Sequence, residues 1–371
     1  MTQAGAGGDA SLSEDERWMH RALQLAERAR WHASPNPAVG CVLVVGGQVV
    51  GEGFTGPPGH AHAEAAALAV AGGRAAGATA YVTLEPCDHV GRTGPCTEAL
   101  LAAGVARVVA ATQDPASPGG LDRLRGLGVR TQLGVLEDRA RRQNEAFFHS
   151  IETGLPFVLV KAAISVDGRI AAADGTSQWL TGVSARQRVH ELRAEVDAVL
   201  VGSGTVLADD PSLTCRLPDY EGLQPLRVVL DGRARIDGRR RVCDGQAPTL
   251  VFTRPSASSG ASPASGAPGV EVVELPSGPD GGVDLHLVLK ELSAREVRSV
   301  LVEGGSRVIT SILGAGLCDK LVLHIAPLLL GDAGRPLLAG GPPTLAAAVR
   351  YQLDQVTQAE DDLIVTLYPR G

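Results

Sequence analysis

The sequence predicts an α/β protein built from two layered domains. Short apolar, β-branched runs alternate with helical stretches along the chain. That alternation restarts after ETGLPF (152–157), a Gly- and Pro-bearing segment that marks a domain boundary. Length agrees: 371 residues hold two or three domains of roughly 100–200 residues each.

Residues 1–12 are small and polar and read as a disordered tail. In the first domain (13–150), Ser13 with Glu16 has the form of a capping box. Met19, Ala22, Leu23 and Ala26 recur at helical spacing and predict a helix to about residue 31, where SPNP (34–37) breaks it. CVLVV (41–45), a Gly-Gly pair and QVVGEGF form a β-hairpin. HAEAAALAVA (62–71) is a helix stopped by Gly72-Gly73, and TAYVTLEP (79–86) is a strand. Pro95 to Ala103 is a helix ended by Gly104, followed by the strand ARVVAAT (106–112). The outcome is a sheet covered by helices.

The second domain (151–371) offers six strand-like runs: 158–164, 198–202, 226–231, 249–253, 299–305 and 320–327. Helical stretches at 184–194, 284–294 and 306–316 separate some of them. RPSASSGASPASGAPG (254–269) reads as a flexible surface loop with nothing to bury.

Composition narrows the partners. Hydrophobic residues reach 44% but aromatics only 3%, so Ala, Val and Leu must build the cores. The net charge of −7 lacks the basic surplus of proteins that hold nucleic acid or an anionic membrane, which favours small-molecule partners. No apolar run reaches the ~18 residues of a bilayer span, and the N-terminus lacks the basic start and apolar core of a secretory signal. A cytoplasmic protein with reduced thiols is expected, and its six Cys do not suggest a disulfide framework.

The chemistry concentrates first at His62-Ala63-Glu64, Pro86-Cys87 and Pro95-Cys96. One imidazole and two thiolates suit Zn²⁺ and leave a fourth tetrahedral position for water, whose pKa the metal lowers towards ~7. His62 and Cys96 each begin a helix, and the positive helix end favours Cys96 as thiolate. Glu64 is free to take and return the water's proton. H-x-E with P-C-x-x-C is the zinc-deaminase signature, but eight residues (DHVGRTGP) separate these cysteines instead of two. Two core cysteines and a surface histidine would be the plain alternative. Of the other histidines, His89, in the loop between the zinc cysteines, is placed to meet substrate.

SPNPAVGCVLV (34–44), HAEAAAL (62–68) and LEPCDHVGRTGPCTEAL (84–100) resemble the deaminase half of the bifunctional riboflavin-biosynthesis deaminase–reductases. The resemblance implies a cytidine-deaminase-like α/β/α fold, zinc on His62, Cys87 and Cys96, and Glu64 as proton donor. It also implies substrate contacts at Asn36 and Arg92, although a turn residue and a solvated cation are the plain readings. The chain departs from the family at 114–120, where Ala116 stands in place of an Asn, and at Thr55, where many members have His.

The second domain has no G-x-G-x-x-G after its first strand, so a Rossmann site is not indicated. Gly202, Gly204, Gly304 and Gly305 follow apolar strands and can let backbone amides approach phosphates, although such glycines are often only turns. Arg193 and Arg216 can grip a phosphate, and Asp209 and Glu303 sit at strand exits. VKAAISVDGRIA, the LRA segment, GSGTVLADDP and the EGG segment resemble, in order, the reductase half of the same family. That resemblance implies a dihydrofolate-reductase-like α/β fold and NADPH lined by Ile164, Trp179, Thr205, Asp209 and the stretch Gly305, Ser306, Arg307, Val308, Ile309, Thr310 and Ser311. It implies substrate held by Ser177, Arg193, Leu213, Arg216 and Glu303. Ile164 stands where Ala is frequent. Lys161 is a proton-donor candidate, with a solvent-capped lysine at the core edge as the alternative.

The resulting expectation is zinc-dependent deamination of a pyrimidine ribosylamine phosphate followed by NADPH-dependent reduction of its ribosyl group. The family tends to self-associate, so a homo-oligomer is expected. Two other readings stand beside it: a deaminase of another pyrimidine or of a nucleic-acid base, and a zinc-binding module with a degenerate pocket joined to an active reductase.

Overall fold

The computed structural model describes residues 12–89, 94–255, 264–341 and 344–370. The chain divides into two compact units between Glu152 and Thr153. Among the described residues, no helix is long and apolar enough to cross a membrane.

The first unit runs α1 (Glu14–Glu27), β1 (Gly40–Val45), β2 (Gln48–Phe54), α2 (Ala63–Ala71), β3 (Thr79–Val82), α3 (Cys96–Ala102), β4 (Arg107–Ala110), α4 (Gly120–Gly126), β5 (Arg130–Leu133), α5 (Glu137–Gln143) and α6 (Glu145–Thr153). The capping box forms: Ser13 Oγ accepts from Glu16 N at 3.2 Å, and the Glu16 carboxylate accepts from Ser13 N at 2.8 Å. Helix α1 stops at Glu27, short of residue 31, because the approach to SPNP folds into hydrogen-bonded turns such as Ala33 N to Ala29 O. Gly46 and Gly47 turn the β1–β2 hairpin with φ of 55° and 75°, the left-handed pair a two-residue loop requires.

The strands order as β2-β1-β3-β4-β5. β1 is antiparallel to β2 and β3, and β3, β4 and β5 run parallel. One face buries Cys41, Leu43, Val82 and Val108 against Ala63 and Ala67 of α2, Leu100 of α3 and Leu124 of α4. The other buries Val42, Tyr81 and Val109 against Met19, Ala22 and Leu23 of α1 and Ala140 of α5. This is the expected α/β/α sandwich. Alternate residues of β1 enter opposite cores because the strand period is two. Strand β3 ends at Val82, four residues before the sequence expectation, as the chain turns towards Cys87.

The second unit runs β6 (Phe157–Ser165), β7 (Arg169–Ala171), α7 (Val183–Ala194), β8 (Ala198–Gly202), α8 (Ser203–Asp209), β9 (Leu226–Leu230), β10 (Thr249–Thr253), β11 (Val270–Glu274), α9 (Leu285–Ala294), β12 (Ser299–Val302), α10 (Ser306–Gly314), β13 (Lys320–Ala326), β14 (Arg335–Pro336), β15 (Tyr351–Ala359) and β16 (Asp362–Pro369). Nine strands form one sheet, ordered β11-β10-β9-β8-β12-β6-β13-β16-β15. The strands from β11 to β13 run parallel, and β16 and β15 are added antiparallel at one edge. Val158, Val160, Ala162 and Ile164 of β6 enter the hydrophobic core with Val300 and Val302 of β12.

Half of the 254–269 loop, residues 256–263, lies outside the described residues. At its end Ala264 is fully buried, against the expectation that nothing there is enclosed. Its methyl carries no polar atom, so a tight turn can cover it without a desolvation cost.

Candidate active sites

In the first unit His62 holds the N-cap position of α2, Glu64 lies in its first turn, and Cys96 opens α3. His62 Nδ1 lies 3.6 Å from Cys87 Sγ and 3.3 Å from Cys96 Sγ. The three donor atoms fall within 4.8 Å of one another. Zn–N of ~2.0 Å and Zn–S of ~2.3 Å at a tetrahedral angle require an N to S separation of roughly 3.6 Å. The donor set and its spacing therefore fit zinc.

The two sulfurs share one hydrogen-bond network. Cys96 N–H, at the start of α3, points at Cys87 Sγ, 3.5 Å away. The Cys96 thiol also donates to Cys87, so Cys87 is drawn down to about 4 and Cys96 is raised. The Cys96 side chain and, more weakly, its backbone N–H thus favour the thiolate of Cys87. Both bind metal only as thiolates, so metal binding releases the remaining proton. Glu64 is 4% exposed, and burial pushes its carboxyl up to about 7. A group poised there can hold or release a proton near neutral pH.

Sequence reasoning missed Glu85. Its buried carboxylate accepts from three backbone amides: Leu121 N at 2.9 Å, Gly119 N at 3.2 Å and Asp114 N at 3.4 Å. Glu85 therefore fastens the divergent 114–121 segment to the strand exit that carries Cys87. Gly120 packs so closely on Pro86 that an added Cβ would lie 1.9 Å from the Pro86 carbonyl oxygen. His89 Nδ1 is 3.0 Å from Ser117 Oγ, so its partner in this structure lies in that same segment. Thr55 is buried and bonded to Val39, Oγ1 accepting from Val39 N at 3.0 Å, which gives it a structural role. Asn36 is exposed, and its N–H donates to Ala33 O. Arg92 lies outside the described residues.

The second unit contains a cleft of about 1210 Å³ where β8, β12 and β6 end, the region in which parallel α/β sheets bind ligands. It is lined by Lys161, Ser177, Trp179, Arg193, Thr205, Asp209, Arg216, Glu303 and every residue from Gly305 to Ser311. Two expected residues are not brought to it. Ile164 is one: its side chain packs in the core with Val158 and Val160, next along β6 to Lys161, Ala162 and Ala163, which line the cleft. Leu213 is the other; it is 2% exposed and packs inward.

Arg193 also differs from expectation. Its Nε and Nη2 donate to Glu303 at 2.6 and 2.8 Å, and its Nη1 donates to Thr214 O at 3.0 Å. The guanidinium is engaged by the protein, so it is not a free grip for phosphate. Arg216 is exposed and bonds Thr214 Oγ1. The glycines have a packing reason too: a Cβ on Gly202 or Gly304 would meet Val308 at 2.8 or 2.9 Å. They let α10 approach β8 and β12. Helix α10 has no side-chain cap, and the buried Ser306 Oγ in its first turn has no partner among the described residues. An uncapped helix N-terminus with an orphaned hydroxyl fits an anionic group such as a cofactor pyrophosphate. Thr205 Oγ1 accepts from Gly305 N at 3.1 Å, and Arg186 stacks over Trp179 with Cζ 4.7 Å from the ring centroid.

Lys161 is lowered to about 8, burial being the main cause and Glu303 opposing it. Glu303 would be raised by burial, but Arg193 outweighs that and holds it below the usual carboxylate range.

Comparison with known proteins places both halves. Residues 12–112 match the cytidine and deoxycytidylate deaminase zinc-binding region, and residues 156–365 match the RibD C-terminal domain. The riboflavin biosynthesis protein RibD of Escherichia coli K12 is 40% identical over 369 residues, covering 95% of this chain and 99% of that protein. That of Mycobacterium tuberculosis is 39% identical over 358 residues, covering 95% and 96%. Among solved structures, Acinetobacter baumannii RibD aligns with a TM-score of 0.88 at 38% identity, covering 96% of this chain and 99% of that one. The Thermotoga maritima diaminohydroxyphosphoribosylaminopyrimidine deaminase/5-amino-6-(5-phosphoribosylamino)uracil reductase aligns with a TM-score of 0.87 at 35% identity, over the same shares. With a matching zinc-binding half, a matching reductase half and relatives aligned over nearly their whole length, the chain belongs to the RibD family, the bifunctional deaminase–reductases of riboflavin biosynthesis.

Proposed function

We propose that the first unit removes the ring 2-amino group of 2,5-diamino-6-(5-phosphoribosylamino)pyrimidin-4-one, and that the second unit reduces the ribosyl group of the product. The observation that carries the first step is the convergence of His62, Cys87 and Cys96 beside a buried carboxyl on Glu64. His62, Cys87 and Cys96 would hold zinc, which when bound activates water for attack at the amino-bearing carbon. Glu64 takes a proton on the water side and delivers it to the departing nitrogen. The C–N bond breaks, ammonia leaves and the ring carbon becomes a carbonyl. Asn36 and Arg92 are read as substrate contacts on family resemblance.

In the second step NADPH, when bound, supplies hydride to C1 of the ribosyl group. The first turn of α10, from Gly305, would hold its pyrophosphate, and the rest of the helix to Ser311, with Thr205, Asp209 and Trp179, would form the walls. Ser177, Arg216 and the Arg193–Glu303 pair hold the substrate. As the C1 to ring-oxygen bond opens, that oxygen takes a proton, which Lys161 would give. The product is 5-amino-6-(5-phosphoribitylamino)uracil. The chain works in the cytoplasm, a reading supported by six cysteines that are buried and unpaired.

Self-association fits the same reading. Strand β15 is a nine-residue sheet edge with Leu353 57% and Val356 51% exposed. Such an open edge is a template for pairing with a second copy.

The test is a paired assay on purified, zinc-loaded protein given this substrate. Ammonia release should not require NADPH, and NADPH oxidation should begin only after deamination. Oxidation of NADPH without prior ammonia release would reverse the proposed order.

A further inference from the structure

His190 lies on α7 and lines the reductase cleft beside Arg193 and Arg216, yet no motif singled it out. Its Nδ1 accepts the backbone N–H of Arg216 at 3.2 Å. An acceptor nitrogen carries no hydrogen, so the hydrogen of the neutral ring is on Nε2. Burial, with Arg193 and Arg216 adding to it and Glu303 and the Thr214 backbone carbonyl opposing it more weakly, lowers the imidazole to about 4, so it stays neutral near pH 7.

The neighbouring cations are unequal. Arg193 is tied to Glu303 and Thr214, whereas the exposed Arg216 presents its positive charge to the cleft beside His190. A phosphate held by Arg216 alone would keep oxygens in need of donors. The hydrogen bond from Arg216 N to His190 places a neutral ring donor next to that guanidinium.

We propose that His190 is a further substrate-positioning residue of the reductase site, donating Nε2–H to the sugar phosphate that Arg216 neutralises. The proposal rests on the substrate reading above. A hydrogen bond of this kind belongs to ground and transition state alike, so its loss raises KM and leaves kcat unchanged.

The experiment is calorimetric titration of the full chain with 5-amino-6-(5-phosphoribitylamino)uracil and with its dephosphorylated form, for wild type, H190F and H190Q. H190F keeps a ring without the donor; H190Q restores an N–H and an acceptor. Loss of a hydrogen bond to a charged group corresponds to roughly a tenfold weakening or more. The account expects that weakening for the phosphorylated ligand with H190F, less than about threefold change for the dephosphorylated one, and recovery with H190Q. R216A combined with H190F should weaken binding by less than the product of the single effects, because both act on one group. Equal weakening of both ligands by H190F, no weakening at all, or a fall in kcat at constant KM would overturn the proposal. Should wild type bind both ligands equally, the phosphorylated-substrate reading itself would fail, independently of His190.

Discussion

Arg193 and Glu303 form a two-point ion pair inside the reductase cleft, Nε to Oε1 at 2.6 Å and Nη2 to Oε2 at 2.8 Å, with side chains only 10% and 13% exposed. The pair fixes the charge balance of the site. It ties up the Arg193 guanidinium, and it puts a carboxylate near Lys161 that partly offsets the lysine's burial.

Breaking this pair leaves one buried charge without its partner. R193M is therefore expected to lower the urea-unfolding free energy by about 3–5 kcal/mol. A loss below about 1 kcal/mol would mean that the pair behaves like a solvated surface contact.

Lys161 gives a pH prediction with a definite sign. Its folded-state value, about 8, lies below the ordinary 10.5. Between these values the unfolded chain binds more protons, so stability rises as pH climbs through that window. K161M should remove this rise. If Lys161 supplies the proton, the rate of reduction should fall as pH rises past about 8. A rate that stays flat from pH 7 to 9.5 would take Lys161 out of that role.

Glu64 separates the two activities. E64Q should cut ammonia release by at least ~10² while reduction of the deaminated intermediate continues. Zinc content, read by atomic absorption, should be unchanged, because the ligands are His62, Cys87 and Cys96. Chelation should likewise stop deamination and spare reduction. Unchanged ammonia release in E64Q would remove Glu64 from the step.

Gly120 tests the anchoring of the 114–121 segment. In G120A the new methyl would meet the Pro86 carbonyl oxygen, adjacent to Cys87. Overpacking of this kind costs about 1–3 kcal/mol, and the shift should also speed zinc loss to a chelator. Wild-type stability together with wild-type zinc retention would show that the segment moves freely.

Much of the fold was legible because local signals and tertiary outcome agreed. The capping box of α1, the Gly-Gly hairpin and the six apolar runs of the second unit all formed strands or helices near their expected places. Other elements gave no local signal. Helix α5, EDRARRQ, is polar nearly all round and exists through its packing. Strands β15 and β16 were missed because β15 is exposed along most of its length and shows no buried stripe. Pairing with β16, which in turn pairs with β13, holds it in the sheet. Helix α8 followed a Gly-Ser-Gly stretch that reads as a turn.

The metal triad was readable because its donor chemistry is rare and its neighbours are prolines. Glu85 was not, since its partners lie 29 to 36 residues away. The engagement of Arg193 was hidden for the same reason: Glu303 is 110 residues distant. The side chain of Ile164 packs in the core, while its strand neighbours Lys161, Ala162 and Ala163 line the cleft.

The central claim is that one chain performs two successive conversions on one molecule. The measurement that tests it most directly is mass spectrometry of the product formed from freshly generated 2,5-diamino-6-(5-phosphoribosylamino)pyrimidin-4-one by zinc-loaded protein, with and without NADPH. Without NADPH the account predicts one amino group replaced by oxygen and nothing more; with NADPH it predicts the same exchange plus the addition of one hydride and one proton. Hydride addition to a substrate that keeps its amino group, or a starting mass that persists in both samples, would contradict it.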